Sequence, residues 1–284
     1  MILVIGATGT NGSELIKQLS NLGERVRALV RDPVRATELK TYNVELVQGD
    51  LEKPATLDTA LNGIDKAFIV SSVNQSYVKQ ISNFIEVAKQ AKLKHIVKFS
   101  GMGAAANSPS IIMRQHAETD SLLKESRLAY TILQPNSFYQ NLFWSVATIK
   151  PQGAFYLPLQ DAKQSLVDVR DIAAIAAKVL TENGHEGETY VITGPQALTF
   201  KDVAAKLSTL LGKTITYVDV PVQAARDGLL NAGQPEWNAN AIAEIYGLFA
   251  TGKYAQVTDV VTKLLGREPI SFDQFAQDYA AIFQ

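Results

Sequence analysis

Six short runs rich in β-branched residues recur through the first half of the chain: ILVI (Ile2–Ile5), VRALV (Val26–Val30), VELVQ (Val44–Gln48), AFIVS (Ala67–Ser71), HIVKFS (His95–Ser100) and YTILQ (Tyr130–Gln134). Apolar on successive residues, such strands need both faces covered, which is what a parallel sheet between helices provides. The stretches between them carry helical spacing instead. Leu15, Leu19 and Leu22 form one stripe, Ile81, Ile85 and Ala88 a second, and Leu122 and Leu123 within 114–126 a third. Pro54 falls at a first helical position in EKPATLDTAL, where its missing N–H costs nothing. This alternation predicts an α/β fold, a Rossmann-type doubly wound parallel sheet with right-handed crossovers.

After about Pro151 the alternation weakens. GAFYLPL, TYVITG and TITYVDV read as short strands, QSLVDVRDIAAIAAKVL and TFKDVAAKLSTLLG as helices, and mostly helical segments run on to Gln284. The expected division is a main domain over 1–150 and a smaller, mostly helical C-terminal lobe over 151–284, with TYVITG free to return to the main sheet.

The first run leads into GATGTNG, which spaces Gly6, Gly9 and Gly12 three residues apart before a helix starting near Asn11. A strand, a glycine turn and a helix start together aim backbone N–H groups and the positive end of a helix dipole at one point, the geometry that holds a pyrophosphate. Gly6 permits the tight turn, Gly9 the close approach of backbone to phosphate, and Gly12 the packing of helix on strand. At the end of the second strand a carboxylate would hold the 2′-hydroxyl of NAD, whereas an arginine accommodates the 2′-phosphate of NADP. VRALVRDP puts Arg31 there, with Arg35 one turn on and no acidic residue at the strand's last position, so NADPH is expected over NADH. Asp50 in VQGDLEKP stands where it either accepts from the adenine amino group or forms a turn.

A formal charge of −1, with both signs scattered along 284 residues, gives no footprint for nucleic acid or a membrane surface. No cysteine is present, which excludes disulfides and thiolate chemistry, and three scattered histidines offer no metal site. The opening ILVI is too short for a secretory h-region, and no apolar run reaches membrane-spanning length. The expectation is a cytoplasmic protein, monomer or homodimer, whose partner is a small molecule.

GATGTNG, ALVRDP, VQGDLEKPATLDTALNGID, HIVKFSGMGA and YTILQPNSFYQN together resemble the NmrA-like group of atypical short-chain dehydrogenases/reductases over essentially the whole chain. HAETD (His116–Asp120) and LLNAGQPE (Leu229–Glu236) are similar to its branch of NAD(P)H quinone oxidoreductases and triphenylmethane-dye reductases. The resemblance implies a Rossmann domain, a small C-terminal lobe and a substrate cleft between them. It implies cofactor contacts from Gly6, Thr8, Gly9, Thr10, Asn11 and Gly12, from Arg31, from Asp50 and Leu51, and from Ser71, Ser72 and Val73. Gln134, Pro135 and Asn136 would lie near the nicotinamide.

The wider superfamily uses a tyrosine with a lysine four residues on, the lysine lowering the phenol pKa for proton exchange. None of the ten tyrosines here has that lysine. Ordinary carbinol or carbonyl redox chemistry is therefore disfavoured. A quinone is different: it is strongly electrophilic, and water can protonate its phenolate-like product. Catalysis then reduces to holding the nicotinamide roughly 3–3.5 Å from the acceptor and excluding water. Phe138, Tyr139, Phe143 and Trp144, with Phe155 and Tyr156 further on, offer flat apolar walls or ordinary core packing. Ser100 and the following GMGA, with Met102, mark the sheet edge where ligands bind. His116, read as lying at a helix start and facing the cleft, is expected either to protonate the product oxygen or to make a structural hydrogen bond. His95 opens a strand, and His185 lies in an exposed-looking turn. Two activities fit: an NADPH-dependent reductase of quinone-like acceptors, or an NAD(P)-binding redox sensor that acts through a protein partner.

Overall fold

The computed structural model describes all residues, 1–284. Nine strands form: β1 (Ile2–Ile5), β2 (Val26–Val30), β3 (Glu45–Gln48), β4 (Lys66–Ile69), β5 (His95–Phe99), β6 (Tyr130–Pro135), β7 (Ala154–Leu157), β8 (Thr189–Ile192) and β9 (Thr216–Asp219). The helices are α1 (Thr10–Asn21), α2 (Leu57–Leu61), α3 (Tyr77–Gln90), α4 (Ile111–Glu125), α5 (Val146–Gln152), α6 (Val169–Thr181), α7 (Phe200–Leu211), α8 (Val222–Asn231), α9 (Glu236–Phe249), α10 (Val260–Leu265), α11 (Phe272–Asp278) and α12 (Ala280–Phe283). Short 3₁₀ turns fall at Thr37–Tyr42, Pro54–Thr56 and Tyr139–Ser145. Pro54 opens one of them, directly ahead of α2.

Seven strands make one sheet in the order β3-β2-β1-β4-β5-β6-β8, and the pairings from β3 through β6 are parallel. β8 joins at the β6 edge, where Ile132 N–H donates to Glu188 O and Asn136 N–H to Ile192 O. TYVITG thus returns to the main sheet. β7 and β9 form a separate two-stranded parallel sheet, pairing Phe155 with Tyr217.

Two compact units result. The first comprises Met1–Asn107, Met113–Gln134 and Ile172–Tyr190. The second comprises Ser108–Ile112, Pro135–Asp171 and Val191–Gln284. The boundary thus falls at Pro135, not near residue 150, and the chain re-enters the first unit with α6. Each unit has its own core. Leu3, Ile5, Ile69, Ile81, Phe84 and Ile96 are buried in the first, and Tyr139, Phe155, Phe200, Leu207, Phe272 and Phe275 in the second. No helix is long and apolar enough to cross a membrane.

Candidate active site

Strand β1 ends at Ile5, and the chain turns at Gly6 with φ +78°, which only glycine adopts without strain. A Cβ there would lie 2.2 Å from the Val70 carbonyl oxygen, just past β4. The order places β1 between β2 and β4, so this is where the winding reverses, the place at which open α/β sheets bind ligands. A Cβ on Gly12 would meet the Gly6 carbonyl oxygen at 2.2 Å, so the start of α1 packs directly on the turn. Gly9 is under no such pressure: it is exposed, its φ is −83°, and a Cβ would find its nearest neighbour at 3.4 Å.

The helix start is open for an anion. Gly9 N–H donates to Gly6 O and Ser13 N–H to Gly9 O, and no side chain caps α1. The amides of Thr10, Asn11 and Gly12 therefore have no intrahelical acceptor. Thr8, Gly9 and Thr10 are exposed beside them, and the dipole of α1 adds its positive end. Arg31 follows β2 directly and is exposed. Its carbonyl accepts from Gln48 Nε2 at 3.1 Å, and its guanidinium has no ion-pair partner, whereas Arg35 is paired with Asp32 at 3.5 Å. Asp50 Oδ1 accepts from Glu52 N–H at 3.0 Å, closing a turn. Ser71 Oγ donates to Gln80 Oε1 at 2.9 Å and Gln80 Nε2 to Glu52 Oε1 at 3.0 Å, tying the loop after β4 to that turn. Leu51 is buried, Ser72 exposed, and Val73 packs on the first core. The donor set, the open helix start and the unpaired guanidinium fit a dinucleotide that carries phosphate on its ribose.

Deeper in the first unit lies a polar cluster whose connections the residue spacing did not reveal. Lys98 of β5 is fully buried, and its Nζ donates to Asp120 Oδ1 at 2.7 Å. Asp120 Oδ2 accepts from Ser100 Oγ at 2.8 Å and from Gln134 Nε2 at 3.3 Å. Loss of water pushes the Lys98 pKa down, against the pull of Asp120. Ser100 and Gln134 thus spend their side chains on a buried carboxylate.

His116 sits inside α4, not at its start, and is only 7 % exposed. Its Nδ1 is 3.1 Å from the Tyr77 hydroxyl, with the rings edge-on at 5.3 Å. Burial, then the Lys98 charge, push its pKa down to about 3. The imidazole is therefore neutral near pH 7, which does not suit a cationic proton donor. Met102 is buried as well. His95 bonds Thr131 at 2.9 Å, and His185 proves buried, bonding the Tyr190 hydroxyl at 2.8 Å.

In the second unit the expected aromatic wall divides. Phe138, Trp144 and Tyr156 line a cavity of about 830 Å³, to which Phe200 and residues of α8 and α9 contribute. Tyr139, by contrast, is fully buried against Phe272 and Phe275, and Phe155 against Phe200 and Tyr217. Phe143 packs on Phe275 and Tyr279. These three are core residues. Tyr139 does not line the cavity because the 3₁₀ turn that begins there sends it inward. Pro135 is buried, and Asn136 is consumed structurally: its Nδ2 donates to Ser165 Oγ at 2.8 Å and Tyr254 O at 2.9 Å, and its Oδ1 accepts from Ser137 N–H. No lining residue of the cavity carries a charge.

Strand order, glycine turn and open helix start define an α/β protein of the Rossmann class. Within it, the NmrA-like family model matches residues 1–276, and the chain belongs to that family. It is 42 % identical over 283 residues to an NAD(P)H azoreductase of Xenophilus azovorans, covering 100 % of this chain and 99 % of the relative. It is 31 % identical to quinone oxidoreductase 2 of Escherichia coli, over 94 % of each chain. The structure of that NADPH-dependent quinone oxidoreductase in complex with NADPH superimposes with a TM-score of 0.88, covering 100 % of both chains. Triphenylmethane reductase of Citrobacter sp. with NADP(H) gives 0.84 at 28 % identity, over 98 % of this chain and 99 % of the other.

Proposed function

We propose that the chain is an NAD(P)H-dependent oxidoreductase that reduces quinones or similarly planar electrophilic acceptors, with NADPH preferred to NADH. The reading rests above all on the open start of α1: backbone donors without acceptors, an exposed glycine at the point of closest approach, and an unpaired Arg31 after β2. The likeness to an azoreductase and a quinone oxidoreductase supports the acceptor class. So does an uncharged cavity of about 830 Å³, whose size suits a molecule of several rings.

When bound, the reduced nicotinamide supplies the hydride. The protein's share is to hold the pyrophosphate on the amides of 10–12, to neutralise a 2′-phosphate with Arg31, and to keep a flat acceptor between Phe138, Trp144 and Tyr156. Overall, acceptor, NADPH and one proton give hydroquinone and NADP⁺, and water delivers the proton. The test is oxidation of NADPH and NADH, followed by absorbance, with a panel of quinones and azo dyes. Saturable turnover favouring NADPH is expected. Tight NADPH binding with no oxidation by any acceptor would overturn the reading in favour of a redox sensor.

A further inference from the structure

Within the second unit's cavity wall one side chain is out of keeping with the rest. Gln164 lines the cavity, is 1 % exposed, and has neither its Nε2 nor its Oε1 in a hydrogen bond. Its backbone is satisfied by mutual bonds with Leu198, so the side chain is held on a fixed bridge. Every other side chain with such a buried atom has a single one; only Gln164 leaves both ends of a carboxamide unpaired. Burying a donor and an acceptor with no partner opposes folding, and a leucine of similar size would avoid that penalty. Among the lining, Leu142, Leu159, Leu166, Phe200, Ile245 and Phe249 already provide the apolar surface around it.

We propose that Gln164 is the polar anchor for the acceptor: on ligand entry its side chain rotates out of its sealed position, and the carboxamide N–H donates to a carbonyl oxygen of an uncharged, multi-ring quinone seated in the cavity. This rests on the reading that the cavity is the acceptor site. A carboxamide suits both redox states of such a ligand, since Nε2 donates to the quinone carbonyl and Oε1 accepts from the hydroquinone hydroxyl. The absence of any charged lining residue sets the other half of the specificity. A sulfonated or phosphorylated analogue would have to leave water without a counter-ion.

The experiment is calorimetric titration of the full chain with 1,4-naphthoquinone, naphthalene and 1,4-naphthoquinone-2-sulfonate, on the natural sequence, Gln164→Leu, Gln164→Met and Ala225→Trp. The natural protein should bind naphthoquinone at least tenfold more tightly than naphthalene or the sulfonate. Gln164→Leu and Gln164→Met should bind naphthoquinone about tenfold more weakly, bind naphthalene no worse, and melt at or above the natural temperature because two unpaired polar atoms are gone. Equal naphthoquinone affinity in the natural protein and both Gln164 variants would overturn the anchor while leaving the cavity as the acceptor site. Undiminished binding by Ala225→Trp, which fills the cavity from α8, would overturn the cavity reading and the anchor with it.

Discussion

The turn after β1 contains two glycines whose replacement by alanine should separate stability from cofactor binding. A Cβ on Gly12 would lie 2.2 Å from the Gly6 carbonyl oxygen, 2.7 Å from its carbon and 2.9 Å from Ala7 Cα, all backbone atoms. Restoring ordinary contact means moving α1 by about 1 Å off a turn held by Gly6 and Val70, and no rotamer change can absorb it. Overpacking of this kind costs about 1–3 kcal/mol, and rigid partners place Gly12→Ala at the upper end. For a domain of this size that corresponds to a melting temperature roughly 6–12 °C lower. Gly9→Ala meets its nearest neighbour at 3.4 Å with φ −83°, so its stability should change by less than about 0.5 kcal/mol. If the pyrophosphate rests on Gly9, however, the added methyl stands where phosphate must approach, and NADPH affinity should fall by about 10- to 100-fold. The assays are thermal melting and fluorescence titration with NADPH. A Gly9→Ala variant that binds NADPH as the natural protein does would refute the placement of the pyrophosphate. A Gly12→Ala variant of unchanged melting temperature would refute the packing argument.

Arg31→Glu sets a carboxylate against the 2′-phosphate and should weaken NADPH binding at least tenfold more than NADH binding, measured as the ratio of their dissociation constants; equal losses would remove Arg31 from cofactor selection. His116 is buried with its pKa lowered to about 3, so the unfolded chain takes up a proton near pH 6.5 that the folded one refuses. Its contribution therefore reduces stability as pH falls below 6.5, by about 2 kcal/mol at pH 5, and urea melts at pH 7.5 and 5 should show His116→Gln losing that much less than the natural protein. Asp120→Ala strands Lys98 as an unpaired buried cation and should destabilise by about 3–5 kcal/mol, whereas Lys98→Met with Asp120→Leu, which removes both charges, should cost clearly less. Chemical denaturation of the three proteins decides it.

How much of this the chain declares in advance depends on whether the signal is local. The strands of the main sheet were readable to within about two residues, because an apolar run bounded by glycine or polar turns is a local pattern, and VRALV and ILVI coincide with β2 and β1. The return of Ile172–Tyr190 to the first unit has no such signature, since a helix stripe does not say which core it serves. The same limit explains the aromatic residues. Phe138 and Tyr139 are neighbours, yet one faces a cavity and the other is buried on Phe272 and Phe275, contacts made by residues more than a hundred positions on. The engagement of Asn136 is hidden in the sequence for the same reason, its partners Ser165 and Tyr254 being distant along the chain. Lys98 did leave a trace: a lysine inside the apolar HIVKFS run must find an anion, and Asp120, one turn after His116, is that anion. Gln164 left none, because a glutamine in AKQSLVDV is unremarkable until its surroundings are known to lack partners.

On the proposed reading the cavity also limits what the acceptor can be, since no lysine, histidine, aspartate or glutamate lines it to hand over a proton. The reduced oxygen must then leave as an anion that water protonates. For a quinone that anion is a phenolate, with a pKa near ~10 as in tyrosine. For a simple ketone it is an alkoxide, about as basic as hydroxide itself. The gap of about six units corresponds to about 8 kcal/mol, or roughly a million-fold in rate if the transition state carries most of the charge. The protein should therefore turn over 1,4-naphthoquinone and show no measurable NADPH oxidation with cyclohexanone at the same concentration. A ketone rate within a hundredfold of the quinone rate would mean that a protein acid reaches the acceptor after all, and its pH profile would identify which.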